Sequence, residues 1–317
     1  MAGALYGPEG FYTCRGRAGR RGDFVTSPEV GPLFGAVVAR FLDAEWRRLD
    51  RPTEFVVLEV GAGPGTLARS VITASPDCAE SMRYVAVELS DAQREQHPDG
   101  VESRSDLPDG PFDGVIIANE LLDNLPFRLA VFDGAWREAF VGEGSDGRLT
   151  EFLSQRFDPV PMVLPPSAPL GARAPIQEAA AAWVSQARRR LRSGTVVAVD
   201  YTSPTTAGLA LRPWREWLRT HRRHEPGGHY LSVPGSQDIT ADVAIDQLPT
   251  PSAVRTQAAW LEMYGAAALV DEGRRYWREH AARPTLDALR MRSRVSESEA
   301  LLDPAGLGGF TVLEWRI

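Results

Sequence analysis

The sequence predicts an α/β fold built on a mostly parallel, doubly wound sheet, and two observations lead to it. First, an apolar run at 55–60 is followed by a glycine-rich turn at 61–65 and then by helical spacing at 66–73. Second, the apolar runs at 84–89 and 112–118 lack the polar alternation of half-exposed strands. Continuous apolar strands are typical of sheets that helices cover on both faces.

The other elements follow in chain order. A helix is expected at 28–49, with Ser27 as its N-cap and Pro28 at its first helical position. Segments 127–133 and 136–141 predict an antiparallel hairpin. The remaining expectations are a short strand at 101–103, an irregular Pro-rich segment at 155–175, a helix at 176–192, a strand at 195–200, helices at about 254–280 and 284–303, and a strand at 309–316.

The chain has 317 residues, enough for about two domains or one elaborated domain. We expect an N-terminal lid or helical segment at 1–50 and one larger domain at 51–317. The larger domain is expected to carry an insertion around 142–175 and a loop around 225–236.

Composition excludes several classes of protein. The chain carries 35 basic and 42 acidic residues, a net charge of -7, and all of its basic residues are arginine, so a general nucleic-acid binder is not expected. No export leader is expected, because the N-terminus lacks an apolar segment after a basic one, and no membrane span is expected, because no stretch approaches about 18 consecutive apolar residues. Cys14 and Cys78 predict free thiols in a reducing cytoplasm. His221, His224 and His229 include an H-x-x-H spacing but lack a nearby Cys or Glu cluster, so no metal is expected.

The most informative segment is the cofactor loop, defined here as Glu59–Thr66, where a buried strand turns into a helix. Glycines allow the backbone to turn tightly and to approach a ligand, and the helix N-terminus offers free N–H groups. The spacing is G-x-G-x-G at Gly61, Gly63 and Gly65, so Thr66 stands where the dinucleotide fingerprint has its last glycine. A nicotinamide cofactor is therefore disfavoured, and a phosphate loop of the Gly-Lys-Ser/Thr type needs a lysine that this chain lacks.

Two further acidic residues define the pocket. Glu88 ends the second strand, where its carboxylate can accept hydrogen bonds from ribose hydroxyls, and Asp106 follows the third strand, where it can accept from an adenine amino group. With the cofactor loop, they favour an S-adenosylmethionine pocket. The alternative is a tight strand-to-helix turn with a solvated Glu88.

The blocks that carry a family resemblance are ALYGPEGFY at 4–12, GDFVTSPEVGPLFG at 22–35, LEVGAGPGT at 58–66, VELS at 87–90, ANELLDNLP at 118–126, VDY at 199–201 and PGSQDITADV at 234–243. On these blocks the chain resembles the MidA family of S-adenosylmethionine-dependent methyltransferases, whose mitochondrial members are complex I assembly factors with protein arginine methyltransferase activity. The resemblance implies a class I methyltransferase fold with family-specific insertions, S-adenosyl-L-methionine as cofactor and S-adenosyl-L-homocysteine as product. The family loop is usually E-x-G-P-G-x-G-T, whereas here Ala62 replaces the proline and Pro64 fills the variable position.

The resemblance also implies residue roles. The segment 23–29 looks like a lid over the cofactor and acceptor cleft, although it also reads as a cap for the helix that follows. The implied cofactor residues are Glu59, Gly61, Ala62, Gly63, Gly65, Thr66, Glu88, Leu89, Ser90, Asp106, Asn119, Thr26 and Ser27, and the implied substrate residues are Asp23, Glu29, Asp200 and Tyr201.

The acceptor is expected where the fourth strand ends, at Asn119 and Glu120, because ligands bind at the carboxyl ends of strands in such sheets. Glu120 is the expected orienting group or base, with Asp123 and Asn119 in support. Paired carboxylates suit a guanidinium, which presents five donors in a planar fork. The alternative is that Asn119 and Glu120 cap the following helix and that Asp123 is a solvated acid of its first turn.

Three functions remain open from the sequence. They are methylation of a protein arginine, methylation of a small metabolite or a peptide natural product, and a non-catalytic role as a cofactor-binding assembly factor. The partner is accordingly a protein, a peptide or a small molecule, with no nucleic acid and no membrane expected. The sequence leaves the oligomeric state open.

Overall fold

The computed structural model describes residues 1–15, 26–222 and 225–317, with the backbone alone at 14 and 15. The chain forms two compact units. Unit 1 consists of Met1–Gly16, Leu121–Gln186 and Asp200–Thr250, and unit 2 consists of Arg17–Glu120, Ala187–Val199 and Pro251–Ile317. The segment before residue 50 is divided between the two units, with Met1–Gly16 in unit 1 and the chain from Arg17 onwards in unit 2.

Ten α-helices lie in the described ranges, and none of them is both long and apolar enough to cross a membrane. They are α1 (Ala2–Tyr6), α2 (Ser27–Val30), α3 (Pro32–Arg48), α4 (Thr66–Thr73), α5 (Asp91–Arg94), α6 (Glu178–Arg190), α7 (Thr206–Leu211), α8 (Gln257–Met263), α9 (Ala266–His280) and α10 (Leu286–Leu302).

Sixteen strands are present in the same ranges. They are β1 (Phe55–Val60), β2 (Met82–Val87), β3 (Glu102–Arg104), β4 (Phe112–Asn119), β5 (Arg128–Phe132), β6 (Trp136–Glu143), β7 (Leu149–Arg156), β8 (Arg173–Ile176), β9 (Leu191–Asp200), β10 (Thr202–Ser203), β11 (Leu218–Arg222), β12 (Glu225–Pro226), β13 (Asp238–Ala241), β14 (Val243–Ala244), β15 (Ala253–Thr256) and β16 (Thr311–Arg316).

Unit 2 is built on a seven-stranded sheet in the order β15-β16-β9-β4-β1-β2-β3. The pairs β1–β2, β1–β4, β2–β3 and β4–β9 are parallel, and β15–β16 is antiparallel. The mostly parallel sheet predicted from the continuous apolar runs is thus confirmed. Val60 is level with Val87 and with Ala118 in the two parallel ladders, so β1, β2 and β4 end in one row.

The single helix expected at 28–49 is wrong, because the structure has α2 and α3 on either side of Gly31. Pro32 cannot donate an N–H and disfavours helical geometry in the residue before it. The N-cap also differs from the prediction, since Thr26 occupies that position and Ser27 is the first helical residue.

The break at Gly31 is fixed by a carboxylate from α10. Glu297 Oε2 accepts a hydrogen bond from the backbone N–H of Leu33 at 2.8 Å, which supplies a partner for one of the free N–H groups at the start of α3. A Cβ atom at Gly31 would lie 2.3 Å from Glu297 Cδ. A side chain at position 31 would therefore displace the Glu297 carboxylate from this place.

Two other sequence expectations in unit 2 are corrected. Residues 254–256, expected as the start of a helix, belong to strand β15, consistent with the β-branched Val254 and Thr256. The helix expected to run on to 280 is divided into α8 and α9 at Gly265, which adopts a left-handed φ of +87°. The second sheet strand begins and ends two residues earlier than expected, at Met82–Val87.

Unit 1 contains a four-stranded antiparallel sheet in the order β7-β6-β5-β8. The predicted hairpin is present as β5 and β6. The segment at 155–175 is less irregular than expected, because β7 reaches Arg156 and β8 begins at Arg173. Buried Trp136 anchors the intervening chain by donating from Nε1 to the carbonyl of Pro165 at 2.7 Å.

Candidate active site

The cofactor loop starts at the row where β1, β2 and β4 end. The N–H groups of Gly61 and Ala62 both donate to the carbonyl of Val87, at 2.9 and 3.1 Å. Gly61, Gly63 and Gly65 have φ values of +73°, +54° and +75°, which residues other than glycine rarely adopt. The loop conformation therefore depends on the three glycines that the sequence pattern identified.

Glu88 follows β2 directly and lies against this loop. Its Oε2 accepts from the N–H of Gly63 at 3.0 Å, and its Oε1 accepts from the N–H of Ser90 at 2.9 Å. A carboxylate has about four acceptor positions, so each oxygen keeps room for one hydroxyl donor. The position and the remaining capacity fit the predicted contact with a ribose.

The segment that contains Thr26, Ser27 and Glu29 also reaches the loop. Thr66 Oγ1, at the start of α4, donates to Glu29 Oε1 at 2.5 Å. Buried Ser27 donates from Oγ to Gln257 Oε1 of α8 at 2.8 Å, so its hydroxyl is used in packing. Thr26 is also buried, and its carbonyl accepts from the N–H of Glu29. This segment thus joins the first turn of α4 to α8.

Glu59, the first residue of the cofactor loop, is buried. Its Oε2 accepts from the hydroxyl of Tyr84 at 2.7 Å. Burial raises the pKa of Glu59 to about 8, against the opposing effect of the hydrogen bonds from Tyr84 and from the backbone of Ala68. The carboxyl group of Glu59 therefore contacts β2 and α4, which frame the loop.

The end of β4 carries two polar side chains. Asn119 Nδ2 donates to Glu120 Oε1 at 3.2 Å, and the N–H of Glu120 donates to the carbonyl of Val199 at 2.8 Å. Glu120 has a φ of +50°, an uncommon conformation for a residue other than glycine and one that concentrates at functional sites. Asn119 Oδ1 is buried and has no hydrogen-bond partner in the described part of the chain. A buried acceptor at this row fits a site for a cofactor that carries N–H donors.

The other predicted cofactor residues are more exposed. Leu89 is 59% exposed beside Glu88 and presents an apolar surface there. Asp106 is exposed after β3, with its Oδ2 3.6 Å from Arg104 Nη2. The carboxylate of Asp106 therefore forms an ion pair with Arg104.

Unit 1 holds the predicted residues Asp123, Asp200 and Tyr201. Asp200 is fully buried, and its Oδ2 accepts from the N–H groups of Leu122 and Asp123 at 2.8 and 3.4 Å. Its Oδ1 accepts from the N–H of Tyr201 at 2.9 Å, and burial raises its pKa to about 7. Asp200 thus anchors the turn that contains Asp123, while the ring of Tyr201 lies 4.9 Å from the guanidinium of Arg219.

A polar cluster in unit 1 escaped the sequence reasoning. Tyr12 donates to Asp238 Oδ1 at 2.9 Å, Asn124 Nδ2 donates to the same atom at 3.2 Å, and the ring of Tyr6 stacks on Tyr12 at 5.6 Å. Burial, followed by the charge of Asp238, raises the pKa of Tyr12. These residues belong to the blocks at 4–12, 118–126 and 234–243, and that shared membership was the signal available in the sequence.

Some predicted positions lie outside the described residues, namely Asp23, His224 and the side chain of Cys14. Cys78 is buried as a free thiol. Within the described ranges, no group of three or more His, Cys, Asp or Glu residues is placed to hold a metal ion.

The strand order, the glycine loop after β1 and the carboxylate after β2 together define a class I S-adenosylmethionine-dependent methyltransferase. The sequence model of a family described as S-adenosyl-L-methionine-dependent methyltransferases matches residues 37–265, which is more than half of the chain. The chain belongs to this family, and S-adenosyl-L-methionine is its cofactor. The resemblance to the MidA family is confirmed.

Solved structures support the same assignment. A protein from Burkholderia thailandensis, solved with bound S-adenosyl-homocysteine, is 26% identical to this chain and has a TM-score of 0.81. The alignment covers 100% of this chain and 86% of that protein. A native structure of a superfamily protein from the same organism gives a TM-score of 0.79 at 26% identity, with the same coverage.

Curated relatives are protein arginine methyltransferases by name. The Drosophila melanogaster homologue of mitochondrial NDUFAF7 is 29% identical over 77% of this chain and 63% of its own length. Human mitochondrial NDUFAF7 is 27% identical over 76% of this chain and 61% of its own length. The matches thus span less than two thirds of these relatives. The expectation of a cytoplasmic protein is wrong by this comparison, because the relatives are mitochondrial by name.

Proposed function

We propose that this chain transfers a methyl group from S-adenosyl-L-methionine to an arginine side chain of a protein. The observation that carries the proposal is the position of Glu120, a carboxylate in a left-handed conformation at the row of strand ends where the cofactor loop begins. The names of the curated relatives support arginine as the acceptor.

The chemistry asks for a carboxylate at this place. When bound, the cofactor supplies a methyl group on a sulfonium sulfur. A guanidinium nitrogen forms a bond to the methyl carbon while the sulfur–carbon bond breaks. The electron pair of the broken bond stays on sulfur. The nitrogen loses one proton, and Glu120 is the proposed acceptor of that proton and the group that orients the guanidinium.

Neighbouring residues have supporting roles in the proposal. Asn119 donates to Glu120 Oε1 at 3.2 Å and so restricts the rotation of that carboxylate. Asp123 is proposed as a supporting carboxylate, consistent with the anchoring of its backbone N–H by Asp200.

The test is transfer of labelled methyl groups to proteins of a cell lysate, followed by hydrolysis and chromatography of methylated amino acids. We expect label in methylarginine with the wild type, no label with Glu120→Gln, and unchanged cofactor binding by that variant. Glu279→Gln, on the exposed surface of α9, is the matched control and should behave as wild type. Label confined to small molecules would contradict an arginine acceptor, and no transfer by a cofactor-binding wild type would indicate a non-catalytic role.

A further inference from the structure

Gly63 of the cofactor loop is held at both of its backbone polar groups by side chains that follow β2. Its N–H donates to Glu88 Oε2 at 3.0 Å, and its carbonyl oxygen lies 2.9 Å from His97 Nε2. A carbonyl oxygen only accepts, so Nε2 carries the hydrogen and donates. Because Pro64 has no N–H, the carbonyl is the only polar group of the Gly63–Pro64 peptide, and His97 is its partner.

His97 also packs against the loop. A Cβ atom at Gly65 would lie 3.1 Å from His97 Cδ2 and 3.0 Å from Pro98 Cδ. These distances are tighter than ordinary van der Waals contact, so His97 and Pro98 cover this side of Gly65 closely.

The segment that carries His97 is braced at two points. Arg94 Nη1 donates to the carbonyls of Glu88 and Leu89 at 2.6 and 2.8 Å. Arg69 of α4 donates from Nη2 to the carbonyl of Gln96 at 2.8 Å. His97 is therefore presented to the loop from a fixed backbone.

We propose that His97 is a positioning residue that fixes the Gly63–Pro64 peptide in the orientation that receives S-adenosyl-L-methionine. Glu88 and His97 then act as a pair, one on the N–H of Gly63 and one on its carbonyl. The inference rests on the cofactor assignment of the proposed function, and it does not depend on which acceptor is methylated.

The two ring nitrogens of His97 lie at different distances along the side chain, so variants can keep or remove the donor to Gly63. His97 Nδ1 is buried and has no hydrogen-bond partner within the ranges that the structure describes. Glutamine carries an amide donor at a reach close to that of Nε2, whereas the shorter asparagine places its donor near the position of Nδ1. The donor to Gly63 is therefore kept by His97→Gln and lost in His97→Asn and His97→Ala.

The experiment is calorimetric titration of the full chain with S-adenosyl-L-homocysteine. We expect Kd to rise about tenfold in His97→Ala and His97→Asn, the effect of one lost hydrogen bond, and to return to within about threefold of wild type in His97→Gln. His280→Ala is the matched control, because His280 Nδ1 contacts the carbonyl of Tyr276 at 2.9 Å within α9. Its Kd should be unchanged.

Thermal unfolding without ligand accompanies each titration. Equal Kd values for wild type and His97→Ala would overturn the proposal. A weakened His97→Ala that glutamine fails to restore, with a matching loss of unfolding temperature in both variants, would show a packing role and overturn it as well. A wild type that binds no S-adenosyl-L-homocysteine would instead contradict the cofactor assignment, and the role of His97 with it.

Discussion

Thr66 and Glu29, 37 residues apart in the chain, are joined by a hydrogen bond of 2.5 Å from the threonine hydroxyl to the carboxylate. The contact ties the short helix α2 to the first turn of α4, where the cofactor loop ends. A segment far from the glycine motif in sequence therefore contacts the end of the cofactor loop.

Removing this hydrogen bond should weaken cofactor binding. Thr66→Val keeps the shape of the side chain and removes the hydroxyl that donates to the carboxylate. A hydrogen bond to a charged group contributes about 1.5–3 kcal/mol of free energy. We expect at least a several-fold rise in Kd for S-adenosyl-L-methionine by calorimetry. Thr73→Val is the control, because the Thr73 hydroxyl donates to the carbonyl of Arg69 at the other end of α4. Similar Kd values for the two variants would show that the contact has no part in binding.

The buried carboxyl group of Glu59 predicts a pH dependence of stability. Its pKa is raised from 4.5 to about 8 in the folded protein, so between these values the folded state holds a proton that the unfolded state has lost. The contribution of Glu59 to the free energy of unfolding is therefore fully present below about pH 4.5 and is lost as the pH rises through about 8. Asp200, with a pKa raised to about 7, adds a slope of the same sign.

Glu59→Gln keeps an acceptor for Tyr84 and removes the titration, so the free energy of unfolding should fall less steeply with pH than in the wild type. Denaturant unfolding at several pH values between 5 and 9 measures the slope. Exposed Glu95→Gln serves as the control and should retain the wild-type slope. A slope in Glu59→Gln as steep as that of the wild type would contradict the prediction.

Gly31→Ala should destabilise unit 2 by about 1–3 kcal/mol, the cost of leaving a buried donor unpaired, because the new Cβ atom would lie 2.3 Å from Glu297 Cδ and displace the carboxylate that accepts from Leu33. Gly3→Ala offers a matched control, since a Cβ atom at Gly3 has nothing within 4 Å. Chemical denaturation compares the two variants. The packing argument fails if Gly31→Ala is as stable as the wild type.

Much of the sheet could be predicted because its signals are local. The strands at 55–60 and 112–118 are continuous apolar runs, and β1 and β4 lie there. The glycine loop was recognisable because its positive φ values require glycine at fixed spacing. Glu88 could be placed because a residue after a parallel strand lies at the carboxyl edge of the sheet.

Other features depend on contacts distant in sequence and could not be predicted. The break at Gly31 depends on Glu297, more than 260 residues away, and the role of Asp200 depends on the turn at Leu122. The sequence marked Asp200 as a strand end, but it could not show that the carboxylate turns towards backbone N–H groups. His97 lies outside every recognised block, so only its distance from Gly63 reveals it.

The most direct test of the cofactor site is calorimetric titration of wild type and Glu88→Ala with S-adenosyl-L-methionine. Glu88→Ala removes the acceptor proposed for two ribose hydroxyls, so we expect wild-type binding in the micromolar range and a Kd at least about a hundredfold weaker in the variant. Glu80→Ala, at an exposed carboxylate before β2, should bind as wild type. Undiminished binding by Glu88→Ala, or none by the wild type, would contradict the cofactor site described for this loop.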